Sequence, residues 1–299
     1  MNSKKSIHFI LNPISGRGQN QLNIDLISSV LNNENYEVVL KVSQHKNNLD
    51  SLTKMSIKEN ADIIVACGGD GTINKVATHL VNTHTPLGII KFGSGNGLAA
   101  HLDIPNKLLS ALEVIKNSNT TKIDVGVVNQ YFFFSNMSVG VGARVINHYT
   151  RYKKRQFISY LRATLKALWT KIPPLKVELD IDGIKRTVSP LVLFVSNSNE
   201  MGYNVSFTPK ASLQDGKLDV VLTDQLSFFQ KLSFLKHILF MKNKIFNKAE
   251  YFLTEKMKVT NKKEDHFLIQ FDGESVVINS KELEISVRNA ALKVIVPEP

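Results

Sequence analysis

Three short apolar stretches in the first hundred residues each run straight into a loop rich in glycine or small polar residues. That coupling constrains the fold more than any other feature of the chain. Ser6 to Leu11 ends at Asn12-Pro13-Ile14-Ser15-Gly16, Asp62 to Ala66 at Gly68-Gly69-Asp70-Gly71-Thr72, and Leu87 to Ile90 at Gly93-Ser94-Gly95-Asn96-Gly97. Between them, Leu22, Leu26 and Val30 recur at helical spacing, Glu37 to Val42 reads as another strand, and a polar helix covers Leu49 to Ile57. Ile73, Val76, Ala77 and Leu80 mark a helix after the second loop. Short apolar strands alternating with helices predict an α/β lobe with a doubly wound, mostly parallel sheet. Ligands of such sheets bind beyond the carboxyl ends of the strands, so the three loops should share one crevice.

The second half has a different texture. Strands are predicted at Lys122 to Val128, Tyr131 to Asn136, Leu175 to Ile181, Pro190 to Ser196, Leu218 to Leu222, Met257 to Val259, Phe267 to Phe271, Glu282 to Val287 and Leu292 to Val296. Turns such as Asp182-Gly183, Asp215-Gly216 and Asp272-Gly273 separate many of them. This pattern predicts a C-terminal antiparallel β-sandwich lobe with inserted basic helices. The expected domains are an α/β domain over 1–124 and a β-rich domain over 125–299, whose last strand is free to return to the first.

The chain of 299 residues carries a net charge of +11, and the excess is concentrated. Residues 125–177 contain nine bases and no acid, and residues 225–249 contain five bases and no acid. Such segments suit a polyanionic surface or a plain solvated face. In the second segment Phe228, Leu232, Leu235, Leu239 and Phe246 recur at helical steps among lysines; in the first, Leu161, Thr164, Leu165, Leu168 and Trp169 form a stripe. Basic amphipathic helices suit an anionic membrane interface, while the alternative is that the stripes pack on the sandwich. Nucleic acid is disfavoured, because the aromatics follow the aliphatic stripe instead of forming a stacking platform. The single cysteine, Cys67, excludes an intrachain disulfide framework and fits a reducing compartment. It reads as a small buried strand residue. The eight histidines show no metal-ligand spacing and read as strand-end or surface residues. No apolar run is long enough to span a membrane, so a cytoplasmic, peripherally membrane-associated protein is expected.

No P-loop motif and no G-x-G-x-x-G after the first strand is present. Glycines flanking Asp70 at a helix start let backbone N–H groups approach phosphate oxygens, and Asp70 is a candidate ligand for the neutralising Mg²⁺. The blocks Asn12 to Gly16, Gly68 to Thr72, G-S-G-N-G-L-A over Gly93 to Ala99, and Asp272-Gly273-Glu274 together resemble the diacylglycerol kinase catalytic family, which includes sphingosine and ceramide kinases. The resemblance spans the whole chain. It implies ATP and Mg²⁺ as cofactors and a nucleotide site lined by Asn12, Pro13, Ile14, Ser15, Gly16, Ser43, Gly68, Gly69, Asp70, Gly71, Thr72, Ile73, Asn74, Ser94 and Asn96. It further implies a nucleotide-binding role for the 1–124 domain and a lipid-substrate role for the 125–299 domain, with Glu274 as general base, Asp272 as its metal-organising or orienting partner, Asp70 as the catalytic residue that holds the metal, and Asp124 at the substrate headgroup or in the metal network. Gln214, Lys217 and Asp219 resemble a loop that holds a structural Mg²⁺.

Three positions depart from the family pattern: Lys75 and Gly142 where acids are usual, and Gly97 where bacterial members often carry Asp. The expected function is an ATP-dependent lipid kinase, with diacylglycerol as substrate at an anionic membrane surface. The alternatives are a sphingoid-base or other lipid kinase, an NAD kinase, and a catalytically silent nucleotide-sensing membrane module. A homodimer is an open alternative for its assembly.

Overall fold

The computed structural model describes residues 4–16, 22–31, 34–44, 48–93, 95–152, 157–170, 174–201, 205–240 and 244–298. The chain divides into two compact units, one of residues 1–123 with 290–299 and the other of residues 124–289.

The first unit opens with β1 (Lys5–Leu11), α1 (Ile24–Val30), β2 (Tyr36–Val42), α2 (Asn48–Lys58), β3 (Ile63–Gly68), α3 (Asp70–Leu80) and β4 (Leu87–Lys91). Two further helices, α4 (Gly97–His101) and α5 (Leu108–Asn117), precede β5 (Thr120–Val128). The strands pair in parallel in the order β2-β1-β3-β4, and Val294 of the last strand extends the sheet beside Leu87. Alternate residues Ile7, Phe9 and Leu11 of β1 and Ile63, Val65 and Cys67 of β3 form one apolar face, covered by Ile27 and Leu31 of the α1 segment and by Ala111, Leu112 and Ile115 of α5. A strand covered on both faces is apolar throughout, and every residue of β3 is buried. Helix α1 starts where Asn23 Oδ1 accepts a hydrogen bond from the Leu26 amide at 2.9 Å.

The second unit continues with β6 (Tyr131–Phe133), β7 (Asn136–Gly140), α6 (Val141–Tyr149), α7 (Phe157–Trp169), β8 (Val177–Ile181), β9 (Ile184–Val188), β10 (Val192–Ser196) and β11 (Leu218–Thr223). Then follow α8 (Phe228–Phe240), β12 (Glu250–Thr254), β13 (Lys256–Asn261), β14 (Phe267–Phe271), β15 (Glu274–Ile278) and β16 (Glu282–Ile295), which begins in this unit and ends in the first. One antiparallel sheet runs β12-β11-β10-β7-β14-β15, and another places β8 between β9 and β13, with β13 against the start of β16. Leu193, Val220 and Ile269 of the first sheet meet Leu179, Val259 and Leu283 of the second in a common core, which is the packing of a sandwich.

The outer face of the six-stranded sheet is covered by helices: Phe194 and Val221 pack with Val145 of α6, Ala167 and Leu168 of α7, and Phe234 of α8. Several sequence expectations change here. Helix α7 buries Ala163, Thr164, Ala167 and Leu168, while Leu165 and Trp169 are exposed, because small alanines allow the closer approach to neighbours. Helix α8 buries Phe234 and His237 and exposes Phe228 and Leu232. His8 and His237 are buried instead of lying at the surface. The two strands expected over Glu282 to Val296 are one strand, β16, which passes through Ala290 at φ 49°. Among the described residues no helix is long and apolar enough to cross a membrane.

Candidate active site

The register of the parallel sheet decides where the loops fall. Leu11 lies opposite Cys67, and Gly68 opposite Lys91, so β1, β3 and β4 end side by side and their loops start together. Side chains then tie the loops to one another. Asn12 Nδ2 donates to Thr72 Oγ1 at 3.0 Å, and Ser15 Oγ lies 3.5 Å from the same oxygen. Asp70, the first residue of α3, accepts hydrogen bonds from the amides of Asn96 and Gly97, both at 2.8 Å and one on each carboxylate oxygen. A Cβ on Gly93 would lie 2.7 Å from the Gly69 Cα, and one on Gly68 would strike Thr72 Oγ1 at 2.4 Å. The small residues are there because the loops touch.

Residues 12–16 and 68–74 therefore form one cradle with the Asn96 loop. Pro13 and Ile14 lie in its first turn, where Ile14 is exposed, and Gly71, Ile73 and Asn74 continue the first turns of α3, with Ile73 buried. Ser43 is buried just after β2, its amide donating to the Leu11 carbonyl at 2.8 Å. Ser94 lies outside the described residues. Asn96 adopts φ 55° at the start of α4, donates from Nδ2 to the Gly93 carbonyl at 2.5 Å, and leaves its buried Oδ1 without a partner. Cys67 is fully buried, and burial pushes its thiol pKa up, far from that of a nucleophile.

Sequence reasoning did not find two features of this unit. Lys91 closes β4 opposite Gly68, and its burial lowers its pKa while Asp103 opposes that shift; the signal was a lone base ending an apolar strand. Lys75, one of the three residues that depart from the family pattern, has its Nζ 3.4 Å from Asp50 of α2, which also meets His79 Nε2 at 3.0 Å. Burial acts to raise the Asp50 pKa, but the His79 and Lys75 contacts outweigh it and hold the carboxyl below its ordinary value.

In the second unit the Asp272-Gly273 turn joins β14 to β15 with φ of 45° and 79°, the conformation of a tight hairpin. Asp272 is buried, and its carboxylate accepts from the backbone of Phe134 and Ser135 at 2.8 Å and of Asn136 at 3.1 Å. These bonds anchor the hairpin to the residues that lead into β7. Glu274 follows as the first residue of β15, half-buried and opposite Phe271.

Asp124 is buried and serves a neighbouring turn: its Oδ2 accepts from Gly216 at 2.7 Å and its amide donates to the Leu213 carbonyl at 2.7 Å. Asn197, another residue that sequence reasoning did not single out, donates from Nδ2 to the Asp124 carbonyl at 2.8 Å. Gln214 and Lys217 flank that turn, and the Lys217 amide donates to Asp215 Oδ1 at 3.1 Å. Asp219 is buried on β11, with Tyr251 donating its hydroxyl to Oδ1 and with Oδ2 unpartnered. Burial pushes the Asp219 carboxyl up to about 6, with the Tyr251 bond opposing and the Asp215 charge adding to the rise. Among the described residues no three His, Cys, Asp or Glu side chains gather as a metal cluster.

Comparison with known proteins agrees with this anatomy. The diacylglycerol kinase catalytic domain model matches residues 6–128, and the YegS C-terminal NAD kinase beta sandwich-like domain model matches residues 135–296. A diacylglycerol kinase of Staphylococcus aureus strain MRSA252 is 26% identical over 227 residues, covering 74% of this chain and 71% of the relative. That of strain Newman is 25% identical over the same length. Among solved structures, a putative diacylglycerol kinase from Bacillus anthracis str. Sterne superposes with a TM-score of 0.82 at 19% identity, covering 99% of this chain and 97% of the other. A second structure, titled a diacylglycerol kinase from the same strain, gives 0.74 at 17% identity, covering 99% and 98%. The matched catalytic-domain model and the relatives named diacylglycerol kinase place this chain among the lipid kinases. The chain belongs to the diacylglycerol kinase catalytic family.

Proposed function

We propose that this kinase transfers the γ-phosphate of ATP to the free hydroxyl of diacylglycerol, forming phosphatidic acid. The observation that carries the reading is the Asp70 carboxylate holding the Asn96 and Gly97 amides, because it joins loops at two strand ends into a single cradle. Asn12, Ser15 and Thr72 are assigned to the nucleotide phosphates, with Ser43 and Asn74 beside them.

In the reaction the lipid oxygen attacks the γ-phosphorus, its bond to the β-phosphate oxygen breaks, and the hydroxyl proton leaves to a base. Glu274 is assigned that proton, and Asp272 holds the turn on which Glu274 stands. A positioned base contributes roughly 10²–10⁴-fold. Mg²⁺ suits the chemistry because it neutralises phosphate charge and is commonly held by one or two carboxylates plus phosphate oxygens. The residues fit it: the Asp70 carboxylate stands at the start of α3 within the cradle, and carboxylates are ordinary Mg²⁺ ligands. The buried, unpartnered Asn96 Oδ1 would offer a further acceptor in the same loop when the ion is bound. A separate structural Mg²⁺ would find the unpartnered Asp219 Oδ2 close to the charge of Asp215.

A sphingoid base is the competing substrate, favoured by the G-S-G-N-G-L-A loop with Gly97 in place of an acid. The deciding experiment offers ATP and Mg²⁺ with diacylglycerol, sphingosine and ceramide separately in anionic mixed micelles, and NAD in buffer. Phosphatidic acid as the main product supports the proposal, and phosphorylation of sphingosine or NAD alone refutes it.

A further inference from the structure

Helices α7 and α8 turn several large apolar side chains away from the core. On α7, Ile158, Leu165 and Trp169 are 60%, 38% and 37% exposed; on α8, Phe228, Phe229 and Leu232 are 58%, 79% and 43% exposed. Three of these residues touch one another. Trp169 and Phe228 meet edge to face at 6.2 Å between ring centroids, and Phe228 and Phe229 do the same at 5.6 Å. Lys231 of α8 donates from Nζ to the Leu168 carbonyl at 3.0 Å, fastening the two helices beneath the aromatic contact. The result is an apolar ridge across the ends of two helices, and apolar surface of this kind marks a docking site.

The surrounding charge identifies what docks. Arg162, Lys166 and Lys236 are exposed on the same two helices, and the segments 125–177 and 225–249 contain no acid. A second copy of this chain meeting ridge to ridge would set bases against bases. An anionic bilayer instead offers negative headgroups to the bases and hydrocarbon to the rings.

We propose that Trp169, Phe228, Phe229 and Leu232 insert into the interface of an anionic lipid bilayer, with the flanking bases binding the headgroups. The inference rests on the lipid kinase reading above and names the surface by which the enzyme reaches its substrate.

Trp169 is the only tryptophan in the chain, so it reports the docking directly. The full-length protein is mixed with phosphatidylglycerol–phosphatidylcholine vesicles, with or without brominated acyl chains. The expected result is a blue-shifted Trp169 emission that bromine quenches, absent with pure phosphatidylcholine vesicles. Phe229→Ser, at a position too exposed to carry the fold, should weaken vesicle binding at least about tenfold, as should Leu232→Ser. Both should melt with the wild type and keep its rate on a short-chain diacylglycerol dispersed below its aggregation limit. Vesicle binding without any change in Trp169 emission overturns the proposal, and so does a dimer that Phe229→Ser dissociates without altering vesicle binding. Quenching without turnover of any lipid would leave the docking surface standing and sink the kinase reading. Turnover without quenching would do the reverse.

Discussion

Asp70 Oδ2 accepts the Asn96 amide at 2.8 Å, and through that bond a residue at the start of one helix fixes the loop that precedes the next. With Gly97 on the other oxygen, both ends of the carboxylate face N–H donors. Asp70→Asn must therefore point an NH₂ group at one of them. We expect a loss of roughly 1–3 kcal/mol in stability, the cost of an unsatisfied buried donor, together with a drop in turnover of at least about 100-fold. Thermal melts and initial rates test the two parts separately. An Asn variant as stable as the wild type would show that the two amide bonds are dispensable.

Asp272 makes the same argument more sharply, because three amides share its carboxylate. In Asp272→Asn the retained oxygen can keep Ser135 and Asn136, while the amide nitrogen opposes the Phe134 N–H. Asp272→Ala loses all three partners. The expected destabilisation is about 1–2 kcal/mol for Asn and about 3–5 kcal/mol for Ala, measured by urea unfolding. Equal losses in the two variants would assign the stabilisation to packing instead.

The buried Asp219 oxygen predicts a response to Mg²⁺. Because the ion would bind only the folded state, it should stabilise the wild type by up to about 2.7 kcal/mol at a hundredfold excess over its dissociation constant. Asp219→Asn removes the charge that burial opposes, so it should not melt below the metal-free wild type, and Mg²⁺ should no longer raise its melting temperature. Chelation of the wild-type protein reads the same effect from the other side. A variant still protected by Mg²⁺ to the wild-type extent would remove Asp219 from the metal site.

The strand-to-loop transitions of the first unit were legible because each apolar run ends at a residue that cannot continue it. The predicted strand at Leu87 to Ile90 ends one residue before β4 does, and that at Glu37 to Val42 begins one residue after β2. Nothing in the sequence reading covers α4 and α5, where Gly97 and a run of leucines give no clear stop or start. The stripes of α7 and α8 were legible as apolar but not as to which side each residue faces: Thr164 and Leu168 are buried with Ala163, Ala167 and Phe234, whereas Leu165, Trp169, Phe228 and Leu232 are exposed. Site residues were legible as types. Their partners were not: that Asp70 binds amides of residues 96 and 97, or Asp124 the amide of residue 216, depends on loop conformations that no local pattern encodes.

His8 sets a pH dependence. It is buried in β1, and burial foremost, with the neighbouring Lys41 charge adding to it, lowers its pKa beneath 6.5, against a smaller raising effect of Glu59 and Glu37. The folded state therefore holds fewer protons than the unfolded chain just below pH 6.5, so stability falls as the pH drops from there to the folded value and then levels off. Denaturant unfolding between pH 7.5 and 5 should show this decline, and His8→Leu should flatten it. An unaltered slope in the variant would place the titrating group elsewhere.

The central claim is tested most directly by the rate at which purified protein and Glu274→Gln convert diacylglycerol and ATP to phosphatidic acid in anionic mixed micelles. The account predicts robust product from the wild type and a fall of roughly 10²–10⁴-fold in the variant, with its melting temperature unchanged. Wild-type protein that makes no phosphatidic acid, or a variant within a few-fold of the wild-type rate, would contradict it.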